Sequence, residues 1–183
     1  MLLYGGTYLE KSYTVDDIYA LPDGKRAELI DGKLYNMELP GTKHQLLLST
    51  LCAEIYNYIK SKKGKEEVYI APFAVFLENA EGNINYVEPD ISIICDPDKL
   101  NDKGCNGAPD WIIEIVSPSS RRMDYITKTN LYMAAGVKEY WIVDPLRETV
   151  LVYCSSAEWV PIFFRFGEKI KVGIYEDLEI VVE

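Results

Sequence analysis

Two carboxylates stand where apolar residues dominate: Glu114 inside WIIEIVSP, Trp111 to Pro118, and Asp90 at the head of PDISIIC. Runs this short and this rich in isoleucine and valine read as strands buried on both faces. An ionised carboxylate taken out of water without a partner costs several kcal/mol, so two of them demand a cation, a metal or a proton. If Asp90 opens the strand beside that of Glu114, the two converge on one hard cation. Mg²⁺ suits such a site because it takes few protein oxygens and keeps room for water and substrate phosphate. The alternative is that Glu114 pairs with a lysine or arginine and merely tolerates burial; on these residues alone both readings stand.

A helix beginning near Ser119 or Ser120 brings Arg121, Arg122, Asp124 and Lys128 behind the Glu114 strand. On a helical wheel Lys128 falls at the margin of the stripe formed by Met123, Ile126, Leu131 and Ala134. From there its ammonium could reach inward and stabilise an attacking hydroxide or the charge building on a phosphate. It could equally form an i,i+4 pair with Asp124 on a solvated face.

The remaining elements supply the frame. TVDDIYAL reads as a short helix capped by Thr14 and stopped by Pro22. RAELI and KLYNM flank Asp31-Gly32, a hairpin signal because both turn residues tolerate positive φ. Leu47, Leu51, Ile55, Tyr58 and Ile59 recur at helical spacing and mark an amphipathic helix from Gly41 to Lys60. Strands follow at VYIAPFAVFL, PDISIIC and WIIEIVS, then a helix to Ala135 stopped by Gly136, then VKEYWIVD, TVLVYC and WVPIFFRF. Asn101 to Gly107 gathers Asn, Asp and Gly and reads as a mobile loop.

At 183 residues and 48% apolar content the chain, residues 1–183, fits one domain. A net charge of −10 argues against broad adhesion to nucleic acid or anionic membrane, so a phosphate partner would need a local basic strip or bound cations. Cys52, Cys95, Cys105 and Cys154 lack ligand spacing, MLLYGGTYLEK does not read as a signal peptide, and no run is long enough for a membrane helix. A reducing, cytoplasmic setting and no membrane partner are expected. The apolar segments WVPIFFRF and LEIVV either close the sheet within one chain or pair with a second copy as a homodimer.

The order ELIDG, a helix headed by TKHQ, EPDISII, and GAPDWIIEIVSPSSRRMDYITKTNLYMAAGVKEYWIVDP resembles the Uma-type restriction endonuclease family of the PD-(D/E)XK nuclease superfamily. The resemblance runs from about Arg26 to Val152, with Ala108 to Pro145 its specific part. It implies an α/β (α+β) fold: a restriction-endonuclease-like core at about 26–152, a central mixed β-sheet flanked by helices, an N-terminal hairpin and a β-rich C-terminal extension. It also implies a Mg²⁺- or Mn²⁺-dependent endonuclease acting on DNA, with Asp90 and Glu114 as metal-binding acids. The superfamily lysine two residues after the second acid is absent, since Val116 stands there; Lys128 matches the position from which related nucleases supply it. Glu28 matches an acid before the hairpin turn that would orient Lys128 or join the metal's outer shell, or it faces solvent from its strand.

His44 matches a family position near the start of the long helix, as a general base, a phosphate contact, or a plain cap or surface hydrogen-bonding residue. Arg121 and Arg122 are possible substrate contacts. The Lys60, Lys62, Lys63 and Lys65 run either tracks a nucleic-acid backbone or complements a helix dipole. Two other readings remain: a catalytically inactive nuclease-fold module for binding or assembly, favoured by the acidic charge and by Val116, and an RNA or small phosphodiester substrate.

Overall fold

The computed structural model describes residues 12–183. Expectations about residues 1–11, the missing signal peptide among them, lie outside the described residues. In chain order the elements are α1 (Val15–Tyr19), β1 (Ala27–Ile30), β2 (Lys33–Asn36), α2 (Thr42–Ser61), β3 (Glu67–Ile70), β4 (Val75–Glu78), β5 (Ile84–Val87) and β6 (Ile91–Ile94). Then come β7 (Leu100–Asn101), β8 (Gly104–Asn106), β9 (Trp111–Ile115), a π-helical segment (Met123–Lys128) running straight into α3 (Thr129–Ala135), β10 (Glu139–Asp144), β11 (Thr149–Cys154), β12 (Ile162–Arg165), β13 (Lys169–Lys171) and β14 (Glu179–Val181).

Two mixed six-stranded sheets carry the fold, ordered β2-β1-β5-β4-β8-β7 and β12-β11-β10-β9-β6-β3, with β13-β14 as a separate pair. The second is the expected central sheet. Its strands β6, β9 and β10 are buried at every residue, as their continuous apolar runs require. On one face α2 packs Leu47, Leu51, Ile55 and Ile59 against Ile91, Ile93, Ile113 and Ile115. On the other, Tyr132, Val137, Ile112 and Ile142 join Ile30, Val75 and Val87 of the first sheet in a second core. Each fully buried Leu, Ile or Val contributes about 1.5–3 kcal/mol relative to exposure, so both faces hold the sheet firmly.

Local signals explain most boundaries. Asp31 and Gly32 take φ of 48° and 72°, and Ile30 pairs with Lys33, giving a two-residue hairpin. Thr14 donates its backbone N–H to Asp17 Oδ2 at 2.9 Å to open α1. Gly136 closes α3 in the left-handed region at φ 88°.

Several expectations are corrected. VYIAPFAVFL is two strands: β3 belongs to the central sheet and β4 to the other, with a cis Ala71–Pro72 bond between them. β5, INYV, was not anticipated as a strand because Asn85 interrupts its apolar pattern; it is buried, and its amide donates to the Leu77 carbonyl at 3.1 Å. The Asn101–Gly107 stretch is a small hairpin rather than a mobile loop, with Cys105 buried and paired to Val75. The C-terminal strands close over this chain's own core, burying Ile170, Leu178 and Ile180. Among the described residues no helix is long and apolar enough to cross a membrane.

Candidate active site

The geometry begins with strand register. β6 and β9 run antiparallel with Ile91 opposite Ile113, so one step beyond that pair Asp90 stands opposite Glu114. Opposed residues of an antiparallel pair project to the same face, about 4.5–5.5 Å apart at Cα. The Ile115 N–H then donates to Asp90 Oδ2 at 2.7 Å, fixing that carboxylate against the end of β9. His44, in the first turn of α2, places Nε2 3.1 Å from the same oxygen.

Lys128 enters from the π-helical segment. Its ammonium is 2.8 Å from Glu114 Oε1 and 2.9 Å from Glu28 Oε1, with Asp124 Oδ1 at 3.9 Å. All of these side chains are almost wholly buried. Tyr132, one turn on from Lys128, donates its hydroxyl to Glu114 Oε1 at 2.7 Å. Glu28 also accepts the Glu88 N–H at 3.0 Å, and Glu88 in turn holds Arg26 through Nε at 3.0 Å and accepts from the Tyr86 hydroxyl at 2.8 Å. Of the three donors of the Lys128 ammonium, one makes the hydrogen bond to Glu114, while Glu28 and Asp124 face it as ion-pair partners.

A cleft of about 460 Å³ gathers these groups, lined by Glu28, Asp90, Glu114, Lys128, Asp124 and His44. Around Lys128 and His44 these four carboxylates stand nearest, and Glu38, Glu88 and Arg26 also line the cleft. Burial drives Glu114 well above the ordinary carboxylate range; Lys128 opposes this, and the charges of Asp124, Asp90 and Glu28 add to it. Burial also lifts Asp124 to about 6, against the pull of Lys128 and of the Ser120 hydroxyl. For Lys128 burial alone would favour the neutral amine, but Glu114, Glu28 and Asp124 outweigh it and hold the pKa well above the usual lysine value. Burial likewise opposes charge on His44, yet its bond to Asp90, the Asp90 charge and the nearby Ile115 carbonyl leave the pKa raised. Nδ1 of His44 makes no hydrogen bond of good geometry. The negative charge in this cleft exceeds the positive charge, which suits it to a further cation or a bound proton.

The residues singled out from sequence fall into two groups. Asp90, Glu114, Lys128, Glu28 and His44 come together. Glu28 does not face solvent, His44 is not a surface residue, and the Asp124–Lys128 contact lies in the interior rather than on a solvated face. Arg121 and Arg122 do not line the cleft: Arg121 donates to Asp144 Oδ2 at 2.8 Å, and Arg122 is exposed. The lysine run sits at the far end of α2, about 25 Å of helix from His44, where Lys62 pairs with Asp177. Cys52, Cys95, Cys105 and Cys154 are free thiols.

Tyr132 was missed from sequence, although its position four residues after Lys128 is the signal that would have found it. Among the described residues no three His, Cys, Asp or Glu side chains stand together in a ligating arrangement. Asp90 and Glu114 are the two acids that the strand register sets side by side. Asp90 Oδ1 and Glu114 Oε2 take no part in the bonds above, so each acid keeps an oxygen for a cation.

Comparison with known proteins bears on the fold and on the family. A crystal structure titled as that of a "putative nuclease belonging to DUF820" from Anabaena variabilis ATCC 29413 superposes with a TM-score of 0.74 at 22% identity, over 92% of this chain and 94% of that one, which shows the shared fold. A Synechocystis sp. relative, "Uncharacterized protein slr1290", is 21% identical over 151 residues, 81% of this chain and 77% of its own. The Uma2 family model, described as "Putative restriction endonuclease", matches residues 15–183, and the chain belongs to that family.

Proposed function

We propose that the protein is a metal-dependent endonuclease hydrolysing DNA phosphodiester bonds. The observation that supports this best is the meeting of Glu114, Glu28 and Lys128 in one cleft with Asp90 opposite Glu114 on the neighbouring strand. Asp90 Oδ1, Glu114 Oε2 and the carbonyl of Ile115 would hold Mg²⁺ or Mn²⁺, hard ions that favour oxygen donors. Held there, such an ion would supply an activated water and neutralise charge on the phosphoryl oxygens. Hydrolysis joins the water oxygen to phosphorus, breaks a P–O ester bond and returns a proton to the leaving oxygen. The ammonium of Lys128 would stabilise the attacking oxygen, with Glu28 and Glu114 holding it in place. His44 and the Ile115 N–H orient Asp90.

Cleavage of plasmid DNA with Mg²⁺, Mn²⁺ or chelator tests the reading. Loss of cleavage in Asp90→Ala and Glu114→Ala with retained folding supports it; no cleavage of any DNA in any divalent metal overturns it.

A second reading has its own observation. Asp90 Oδ2 and Glu114 Oε1 are already satisfied by protein donors, as expected of a nuclease-fold module kept for binding or assembly. Calorimetry separates the two, because an inactive module shows no Mg²⁺ or Mn²⁺ site that vanishes in Glu114→Ala. Exposed Ile162 and Phe163 on the edge strand β12 support pairing with a second copy, which light scattering would detect. The four free thiols fit a reducing, cytoplasmic setting.

A further inference from the structure

The lining of the cleft is divided between charge and apolar surface. Six carboxylates reach it, Glu28, Glu38, Glu88, Asp90, Glu114 and Asp124, against Arg26, Lys128 and His44. Beside them lie the apolar side chains Met37, Leu48 and Met123 and one aromatic ring, that of Tyr35. Tyr35 is not placed there by chance of exposure. In the hairpin it pairs directly with Glu28, so both side chains project to one face and the ring adjoins the carboxylate that holds Lys128.

This lining suits one class of ligand poorly and another well. A duplex presents two charged backbones and buries its bases, so it needs basic residues on both flanks. Here the mouth is acidic, Arg121 and Arg122 do not line it, and the lysine run is at the other end of α2. The volume of about 460 Å³ matches a small-molecule pocket rather than a groove for a double helix. An unpaired nucleotide offers one phosphate for the cations and one flat π-face for an aromatic ring.

We infer that the cleft takes an unpaired nucleotide of a single-stranded polynucleotide, its base stacked on Tyr35 and its phosphate beside Lys128, since the Arg26 guanidinium is paired with Glu88. This rests on the nuclease reading above and narrows its substrate. Tyr35 is a specificity residue in this scheme. It selects strands whose bases can swing free, such as single strands, frayed ends or flaps, and it is tolerant of base identity because every base has a π-face.

The test uses the full chain with labelled 12-residue oligonucleotides of one sequence: a DNA single strand, an RNA single strand and the DNA duplex. Binding is read by anisotropy and by quenching of 2-aminopurine placed in the strand, and cleavage is read in Mg²⁺. The expected result is a single strand bound at least ten-fold more tightly than the duplex, with 2-aminopurine quenched on binding. Tyr35→Ala weakens single-strand binding by about 5- to 100-fold and abolishes the quenching, whereas Tyr35→Trp retains both. Since Tyr35 also touches the second core, the melting temperature of each variant is measured. A purely structural role lowers stability in Tyr35→Ala and leaves strand preference unchanged, which overturns the assignment. Preferred binding of duplex also overturns it, while Mg²⁺-dependent cutting of that duplex would leave the nuclease reading intact. If no polynucleotide is bound or cut, both fail together. Tight binding of the RNA strand alone keeps the unpaired-nucleotide assignment and moves the substrate from DNA to RNA.

Discussion

Lys128 lies 2.8 Å from Glu114 although it belongs to a helix that an ordinary 3.6-residue period would turn partly toward solvent. The π-helical segment Met123–Lys128 accounts for this. Widening the turn to i→i+5 bonding shifts the phase of the residues that follow, and both Asp124 and Lys128 of this segment are buried. The Asp124 carbonyl is satisfied by the Thr129 hydroxyl at 3.0 Å and the Tyr140 hydroxyl at 2.9 Å. Such turns cluster at functional sites, where they re-aim a side chain at the expense of regular bonding.

Removing the ammonium should therefore be costly. Lys128→Met leaves Glu28, Glu114 and Asp124 facing one another in the interior, and breaking a buried ion pair from one side costs about 3–5 kcal/mol. Urea unfolding at pH 8 should show a loss of that order. The deficit should shrink toward pH 5, since protonation relieves the surplus negative charge. A pH-independent deficit would mean that the loss is one of packing alone.

The metal-free protein should lose stability as pH rises from about 4 to above 6. Asp124 binds its proton more tightly folded, about 6, than at its ordinary 3.8, so the stability it contributes is present below 3.8 and lost as pH passes 6. Glu114 and His44, both raised, act in the same direction. Thermal melts between pH 5 and 8 should fall with pH in chelator and flatten in millimolar Mg²⁺, because a cation replaces the proton. Melts that are parallel with and without the ion would remove the metal from this cleft.

Much of this was readable in the chain. Glu114 and Asp90 announced themselves as charges inside buried strands, and the DG turn located Glu28. The antiparallel register that sets Asp90 opposite Glu114 was not readable, because strand pairing is decided by tertiary packing rather than by the residues of either strand. Nor was the π turn, since no period of apolar residues marks one inserted backbone position. Splitting of VYIAPFAVFL between two sheets was hidden for a similar reason: both halves carry the same β-favouring residues.

His44 should govern metal affinity without touching substrate chemistry. Its Nε2 holds Asp90 Oδ2, and loss of a partner that orients a metal-binding carboxylate typically costs 10- to 100-fold in affinity. His44→Ala should weaken Mg²⁺ binding by about that factor in calorimetry and leave the maximal cleavage rate at saturating metal nearly unchanged. A variant that binds Mg²⁺ normally would place His44 on the substrate instead.

Tyr132 offers the sharpest test of the charge state of Glu114. Its hydroxyl donates to Oε1 at 2.7 Å, a bond that favours the ionised carboxylate. Tyr132→Phe keeps the ring in the core and deletes only that donor, so folding should weaken by about 1 kcal/mol. Glu114, already raised by burial, should then hold its proton to still higher pH. Since the protonated acid cannot ligate, the acidic limb of the Mg²⁺-dependent cleavage profile should move to higher pH in the variant, with activity recovering at alkaline pH. An unmoved limb would show that another group sets the pH dependence, whereas a uniform loss of rate at every pH would assign the hydroxyl to positioning of Glu114 alone.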